Sequence, residues 1–233
     1  DPGHGGHDPG ASAFGLTEKD LALQISRRLR DLLRERHPEL RVALTRESDL
    51  FIPLHERPLM AKRFGANLFV SVHLNANAIH RFHGVETYFL NLTQDQDALQ
   101  VAARENGTSE QRVSDLNDIL LDLLRDTTLI ESGELAKVVQ AALIGTLRGE
   151  HGAVRDLGVK QAPFLVLMGA EMPSVLVEAG FITNRDENQR LQDPQYLDGI
   201  AEGIYDGLRR YIEQQSIVAA GQSSGPLAAI ELH

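Results

Sequence analysis

The sequence predicts an α/β fold in which a β-sheet carries helices on both of its faces. Amphipathic segments, with apolar residues three and four positions apart, alternate along the chain with short apolar runs of strand length. The chain has 233 residues, of which 42% are hydrophobic and 24% are charged. This length and composition are sufficient for one domain with a substantial apolar core.

The first 90 residues contain signals for a loop, two helices and three strands. Residues 1–15 are rich in Gly and Pro and predict a loop, after which Leu21, Ile25 and Leu29 recur at helical spacing. Short apolar runs with β-branched residues indicate the strands. The expected helices are 17–34 and 53–64, and the expected strands are 41–45, 67–74 and 84–90.

The segment 93–147 interrupts this alternation because it is helical in character and strongly acidic. After it, apolar runs and a final amphipathic stretch resume the pattern, and residues rich in Ala, Gly and Ser then predict a mobile tail. The expected helices are 111–124, 133–147 and 196–212, and the expected strands are 164–168 and 174–179. We therefore expect one domain at 1–212, which includes a helical insertion at 93–147, and a tail at 213–233.

The start of the chain suggests an incomplete sheet. A loop such as residues 1–10 normally leaves the end of a strand, so we expect a first strand either to precede Asp1 or to be absent from the sheet. No charged and apolar leader is present, and we expect any export signal to lie upstream.

The composition argues against several classes of function. A net charge of −10 and a pI of about 5.3 argue against a nucleic-acid partner, because an acidic surface repels phosphates. The chain has no cysteine, which removes thiol nucleophiles and Cys-type zinc sites. It also has no run of roughly 18 apolar residues that would predict a membrane span. His, Asp and Glu remain as metal ligands.

Three residues form a candidate zinc site: His4, Glu18 and His73. His4 lies in the Gly-rich loop, Glu18 starts the first predicted helix, and His73 ends a buried strand at the sheet edge where α/β proteins bind ligands. Two imidazoles and one carboxylate leave a fourth tetrahedral position for water, as in catalytic zinc sites. Each residue also fits a structural role: an exposed loop histidine, an acidic residue at a helix N-terminus and a strand-end histidine bonded to backbone.

Glu178 is a candidate general base. It follows an apolar strand, and a carboxylate in that position is costly unless it is paired or functional. Burial raises the pKa of a carboxyl group, which suits a residue that takes a proton from water and gives it to a leaving amine. The alternative is an ion pair with Arg185.

Seven short motifs occur in order along the chain. They are Asp-Pro-Gly-His-Gly-Gly (1–6), Asp-Pro-Gly-Ala (8–11), Glu-Lys-Asp (18–20), Leu-Thr-Arg (44–46), Ser-Val-His-Leu-Asn-Ala (71–76), Gly-Val-Glu-Thr-Tyr (84–88) and Val-Glu-Ala-Gly-Phe-Ile-Thr-Asn (177–184). Together they resemble the zinc-dependent N-acetylmuramoyl-L-alanine amidases of the Amidase_3 family. The resemblance covers residues 1–212.

The resemblance implies a site, a reaction and a fold. His4, Glu18 and His73 would bind one Zn²⁺, and Glu178 would be the catalytic glutamate. The implied reaction is hydrolysis of the amide between N-acetylmuramic acid and L-alanine in peptidoglycan, and the implied location is the periplasm. The implied fold is a mixed, largely parallel sheet of about six strands with flanking helices.

The segment 93–147 resembles the helical insertion of the cell-division amidases of Gram-negative bacteria. This implies that the insertion blocks the site until an activator protein with a LytM-like domain displaces a helix, during septal wall splitting. A glutamate of the insertion would then be an additional zinc ligand, and Arg104-Glu105-Asn106 matches that segment best. We expect Glu105 in this role. Sequence alone does not separate it from Glu110 or Asp115, and a solvated acidic face is the alternative.

Four apolar residues of this segment form a candidate activator interface: Leu116, Ile119, Leu120 and Leu123. Their spacing suits one face of a helix that binds in a groove of a partner. The alternative is packing against the protein's own sheet.

Two other functions stay open on the sequence. A zinc hydrolase for another amide or peptide bond would use the same residues, and analysis of its products would distinguish it. A non-enzymatic wall-binding module is the other alternative. The presence of Glu178 beside a complete ligand set argues against it, because binding requires no base.

Overall fold

The computed structural model describes residues 1–114 and 127–223. Its main sheet has four strands, in the order β3-β6-β4-β5, and a separate hairpin is formed by β1 and β2. The strands are β1 (Ser12–Ala13), β2 (Leu16–Thr17), β3 (Phe69–Asn75), β4 (Val85–Leu90), β5 (Asp156–Ala162) and β6 (Ser174–Phe181). β3 and β6 are parallel, β4 and β5 are parallel, and β4 and β6 are antiparallel. The predicted α/β class with a mixed sheet is confirmed.

Helices cover both faces of this sheet and produce two apolar cores. The first core is formed with β3 and β6 by three long helices, α1 (Glu18–Arg36), α4 (Thr127–His151) and α6 (Pro194–Ser223). The second core lies on the opposite face and contains residues of α2 (Glu56–Phe64) and α3 (Gln96–Glu105). A short helix, α5 (Arg185–Leu191), follows β6.

Side chains along β3 and β6 alternate between the two faces of the sheet, and this alternation determines which face carries His73 and Glu178. Leu74 and Val177 belong to the first core, whereas Leu176 belongs to the second. Because successive side chains of a strand point to opposite faces, His73 and Glu178 lie on the face of the second core, which α3 covers. The β3–β6 register makes these two residues direct neighbours.

The expected count of about six strands is wrong for the described residues, in which the main sheet has four. The predicted strand at 41–45 forms no ladder. A cavity of about 910 Å³ lies between it and β3, and Arg34 Nη2 donates instead to the Val42 carbonyl at 2.7 Å. The predicted strand at 164–168 forms turns, in which Leu167 N donates to the Phe164 carbonyl at 3.1 Å. Phe164 and Leu167 are both buried in the second core, although this segment pairs with none of the described strands.

Four predicted helices are confirmed, as α1, α2, α4 and α6. Helix α4 packs in the first core, so this part of segment 93–147 belongs to the body of the domain. Helix α6 continues to Ser223 and covers the first part of the predicted tail. Within the two described ranges, no helix is long and apolar enough to cross a bilayer. The candidate interface residues Leu116, Ile119, Leu120 and Leu123 lie outside the described residues.

Candidate active site and metal centre

The loop that carries His4 is attached to the edge of β3. Pro2 and Val72 form a parallel bridge, and Gly3 N donates to the Val72 carbonyl at 3.0 Å. His4 then adopts a positive φ of 57°, which is strained for a residue other than glycine. Such strain persists only where surrounding contacts enforce it, and it is common at functional sites.

Two buried arginines enforce the conformation of this loop. Arg57 donates to the carbonyls of Pro2 (2.7 Å) and His4 (2.8 Å), and Arg46 donates to the Gly3 carbonyl at 2.7 Å. Burial lowers the pKa of each guanidinium to about 10, so both remain charged at neutral pH. Neither arginine is predicted from the sequence as a support of the site, although Arg46 ends the Leu-Thr-Arg motif.

Four side chains converge at the carboxyl edge of β3: His4, Glu18, His73 and Glu105. One ligand atom from each lies within 4.8 Å of all the others, and all four residues are buried. His4 Nε2 lies 3.1 Å from both Glu18 Oε1 and Glu105 Oε2, and His73 Nδ1 lies 3.0 Å and 2.8 Å from the same two oxygens. The structure thus brings together the three predicted ligands and Glu105. Their binding of a metal stays a prediction.

Glu18 is fixed by backbone donors and by a glycine. Its Oε2 accepts from Ala11 N at 2.8 Å, and its Oε1 accepts from Leu74 N at 3.1 Å. A Cβ at Gly10 would lie 2.5 Å from His4 Cδ2 and 2.7 Å from Glu18 Oε2. Glycine is therefore required at position 10 for the two candidate ligands to approach each other.

Asp8 orients the His4 ring. Its Oδ2 lies 2.8 Å from His4 Nδ1, which leaves Nε2 facing the carboxylates. Carboxylates in this position fix the tautomer and orientation of metal-ligating histidines. This role is not predicted from the sequence, in which the only signal is the position of Asp8 at the start of the Asp-Pro-Gly-Ala motif.

Arg104 connects Glu178 with Glu105. Its Nη2 donates to Glu178 Oε1 at 3.1 Å, and its Nε donates to Glu105 Oε1 at 2.7 Å. The alternative in which Glu178 pairs with Arg185 is wrong, because the partner is Arg104. The two residues are 74 positions apart, so the contact depends on the packing of α3 over the sheet.

The two glutamates that Arg104 contacts have opposite pKa shifts. Burial raises the pKa of the Glu178 carboxyl well above its usual range, and the charge of Glu105 adds to this effect, whereas Arg104 opposes it. Burial also favours neutral Glu105, but Arg104 and His73 together hold the pKa of that carboxyl well below its usual range. Glu105 is therefore suited to bind a cation, and Glu178 is suited to hold a proton.

The donor set fits a zinc ion. His4 Nε2, Glu105 Oε2 and Glu178 Oε2 are buried and have no hydrogen-bond partner in the described part of the chain. Buried polar atoms without partners are rare, and a bound ion is one of their common explanations. Imidazole nitrogens and carboxylate oxygens are ligands that zinc prefers, and no cysteine is needed.

Comparison with known proteins defines the class. Residues 1–210 match the family model Amidase_3, described as N-acetylmuramoyl-L-alanine amidase. The chain belongs to this family, and the resemblance inferred from the seven motifs is confirmed.

Individual relatives agree with this assignment. The N-acetylmuramoyl-L-alanine amidase AmiC of Escherichia coli O6:H1 is 32% identical over 231 residues, which cover 94% of this chain and 53% of AmiC. The chain thus spans about half the length of that relative. An N-acetylmuramoyl-L-alanine amidase from Clostridium difficile 630 superimposes with a TM-score of 0.71 at 30% identity, covering 92% of this chain and 95% of that one. The CwlD amidase of Clostridioides difficile, in complex with the GerS lipoprotein, gives a TM-score of 0.66 at 27% identity, covering 91% and 96%.

Proposed function

We propose that the chain hydrolyses the amide bond between N-acetylmuramic acid and L-alanine in peptidoglycan, with one Zn²⁺ held by His4, Glu18 and His73. The observation that carries the proposal is the convergence of these residues beside Glu178 at one sheet edge, in a member of the amidase family. The name of the AmiC relative supports the choice of bond.

The residues of the chain have separate tasks in this reaction. A zinc ion in the site supplies a Lewis acid that polarises the scissile carbonyl and acidifies water. Glu178 Oε2, which has no hydrogen-bond partner among the described residues, accepts a proton from the attacking water. The water oxygen bonds to the carbonyl carbon, the C–N bond breaks, and the proton passes from Glu178 to the amine of L-alanine.

We infer that the arrangement of α3 is a self-inhibited state. Glu105 lies beside His4, Glu18 and His73, so its carboxylate would be a fourth protein ligand to a zinc ion and would take the position that a catalytic site keeps open for water. The short contacts of Glu105 Oε2 with both histidine rings support this inference.

Contacts of Arg104 hold α3 in this position. Besides Glu105 and Glu178, Arg104 binds the β3 end, because its Nη1 donates to Asn75 Oδ1 at 2.9 Å and to the Ala76 carbonyl at 2.6 Å. The helix also buries apolar residues in the second core. Moving it away therefore costs both polar contacts and apolar burial.

Such a cost suggests that a partner protein compensates for it. We assign this role to an activator with a LytM-like domain, acting in the periplasm during septal wall splitting. The CwlD amidase, solved with the GerS lipoprotein, is a family member that binds a second protein. Leu116, Ile119, Leu120 and Leu123 stay candidates for the contact surface, outside the described residues.

Product analysis tests the reaction against the zinc hydrolase of other specificity and the binding module. Purified peptidoglycan is incubated with the chain and with its Glu105→Gln variant, and new amino termini and free muramic acid carboxylates are quantified. The proposal requires new L-alanine amino termini and glycan strands without peptide. Cleavage within the peptide supports the other hydrolase, and retention on the wall without cleavage, even when Glu105 is replaced, supports the binding module.

A further inference from the structure

The hairpin before Glu18 has an unusual residue at its tip. Phe14 and Gly15 form a two-residue loop between the paired residues Ala13 and Leu16, and both have positive φ, 49° and 85°. Loops of this kind strongly favour Asn-Gly, because a bulky residue is strained at positive φ. Phe14 is also 48% exposed, so apolar burial does not offset the strain. Local folding therefore gives no reason for phenylalanine at this position.

Phe14 has two neighbours from other parts of the chain. The guanidinium carbon of Arg185 lies 5.5 Å from the centre of the Phe14 ring. The His80 ring lies 6.4 Å away, with its plane at 82° to the phenyl ring. The three side chains come from the hairpin, the loop after β3 and the start of α5.

Hydrogen bonds fix these three segments to one another. Asn188 Nδ2, on α5, donates to the Ala13 carbonyl at 3.0 Å. Asn184 Nδ2, at the start of the same helix, donates to the His80 carbonyl, also at 3.0 Å. The relative position of Phe14, His80 and Arg185 is therefore a property of the fold. We call these three residues the rim platform.

The rim platform lies beside the candidate active site. Its hairpin leads directly into Glu18, and Ala11, just before the hairpin, binds the Glu18 carboxylate. The His80 loop begins after Ala76, whose carbonyl accepts from Arg104. Arg185 follows the β6 strand that carries Glu178. All three segments thus extend from the sheet edge at which the candidate ligands meet.

The charge of the rim platform indicates the kind of ligand that it binds. The whole chain has a net charge of −10, yet Arg81 and Arg185 are exposed at this edge, together with His80, His83 and the acidic Asp186. Arg185 forms no ion pair within 4.0 Å among the described residues. A guanidinium that has no carboxylate partner, beside an exposed aromatic ring, suits a ligand with both a carboxylate and an apolar part.

We propose that the rim platform binds the acidic stem peptide of the substrate, with Arg185 pairing with a peptide carboxylate and Phe14 packing against the apolar part of the peptide. This proposal rests on the proposed function, because it assigns one arm of that substrate to these residues. A neutral glycan chain would gain nothing from the guanidinium. This role explains why a strained phenylalanine occupies position 14, because its exposed ring provides the apolar contact with the peptide.

The test is a binding measurement that does not depend on hydrolysis. The probes are the tripeptide L-Ala-γ-D-Glu-L-Lys and the same tripeptide with the glutamyl carboxylate converted to the amide, titrated calorimetrically into the whole chain. The wild-type chain binds the free acid more tightly than the amide. Arg185→Gln weakens binding of the free acid by at least fivefold and removes the difference between the two peptides. Arg210→Gln, which changes an exposed arginine of α6, leaves both affinities unchanged.

A second variant tests the aromatic contact. Phe14→Asn removes the ring but suits a positive φ, so it weakens binding of both tripeptides while the melting temperature stays equal or rises. The proposal is overturned if the wild-type chain does not distinguish the two peptides, if Arg185→Gln binds them as the wild type does, or if Phe14→Asn binds both tripeptides as tightly as the wild type. Arg185-dependent binding of the tripeptides, with no amide hydrolysis of peptidoglycan even by the Glu105→Gln variant, retains the rim platform and rejects the proposed function.

Discussion

His73 and Glu178 are direct neighbours on the parallel strands β3 and β6. The backbone ladder between these strands fixes the distance between a candidate zinc ligand and the candidate base, whatever the position of α3. By contrast, Glu105 belongs to α3 and not to the sheet. Under the proposed function, His73 and Glu178 are a catalytic pair held by the sheet, and Glu105 is an inhibitory ligand on a separate helix.

Glu105→Gln should raise basal peptide release from peptidoglycan by roughly tenfold or more, since a loss of only about 1.4 kcal/mol from the closed state changes its population by that factor. The neutral amide is a weaker ligand and pairs less well with Arg104. Glu110→Gln is the matched control, because Glu110 lies close by in the same segment and is exposed. Basal release that is unchanged or lower in Glu105→Gln rejects the inhibitory role.

Arg104→Gln should move the acidic limb of the pH–rate profile to higher pH. The Arg104 charge opposes the upward shift in the pKa of Glu178, so its removal raises that pKa further. Glu178 must be ionised to accept a proton, and a higher pKa therefore requires a higher pH for activity. The profile of kcat/KM is measured in a Glu105→Gln background, with exposed Arg112→Gln as the control. A limb that stays in place or moves to lower pH contradicts the assignment.

Gly10→Ala should abolish high-affinity zinc binding, whereas Gly15→Ala should not. Both glycines have positive φ, 62° and 85°, so both substitutions cost about 1–2 kcal/mol of backbone strain. Only at Gly10 would the new Cβ meet a candidate ligand, at 2.5 Å from His4 Cδ2, because nothing lies within 4 Å at Gly15. Zinc affinity is measured by competition with a chelating dye. Equal affinities in the two variants would show that the Gly10 contact is unimportant.

Zinc should stabilise the chain through these ligands. A ligand at about 100 times its Kd adds roughly 2.7 kcal/mol to the free energy of unfolding. For a domain of this size, that corresponds to a rise in Tm of roughly 5–10 °C. Metal-free protein is melted with and without added Zn²⁺, and His73→Ala serves as the comparison. A similar rise in His73→Ala would place the stabilising zinc at another site.

Candidate site residues could be predicted from the sequence where the local pattern around each one indicates a loop, a helix start or a strand end. His4 lies in a glycine-rich loop, Glu18 begins α1 and His73 lies on a buried strand, and the sequence predicted these three residues as a candidate zinc site. The structure brings all three together. Glu105 required the family resemblance, because acidic residues occur throughout its segment.

The sequence did not predict contacts between residues that are far apart along the chain. The bond from Arg104 to Glu178 spans 74 positions, and no local pattern indicates it. The strand count failed for a related reason, because a short apolar run such as 164–168 can be buried in turns as well as in a sheet. Strand β5 was missed because Gly158 and Lys160 interrupt its apolar pattern.

The central claim is that Glu178 is the base of a zinc site formed by other residues, and Glu178→Gln tests it most directly. Zinc content and release of L-alanine amino termini are measured together, with Glu105→Gln as the active parent. The account predicts one equivalent of zinc in both proteins and a loss of roughly 10²–10⁴-fold in the rate of the double variant. Full zinc content with a rate close to that of the parent would contradict the account.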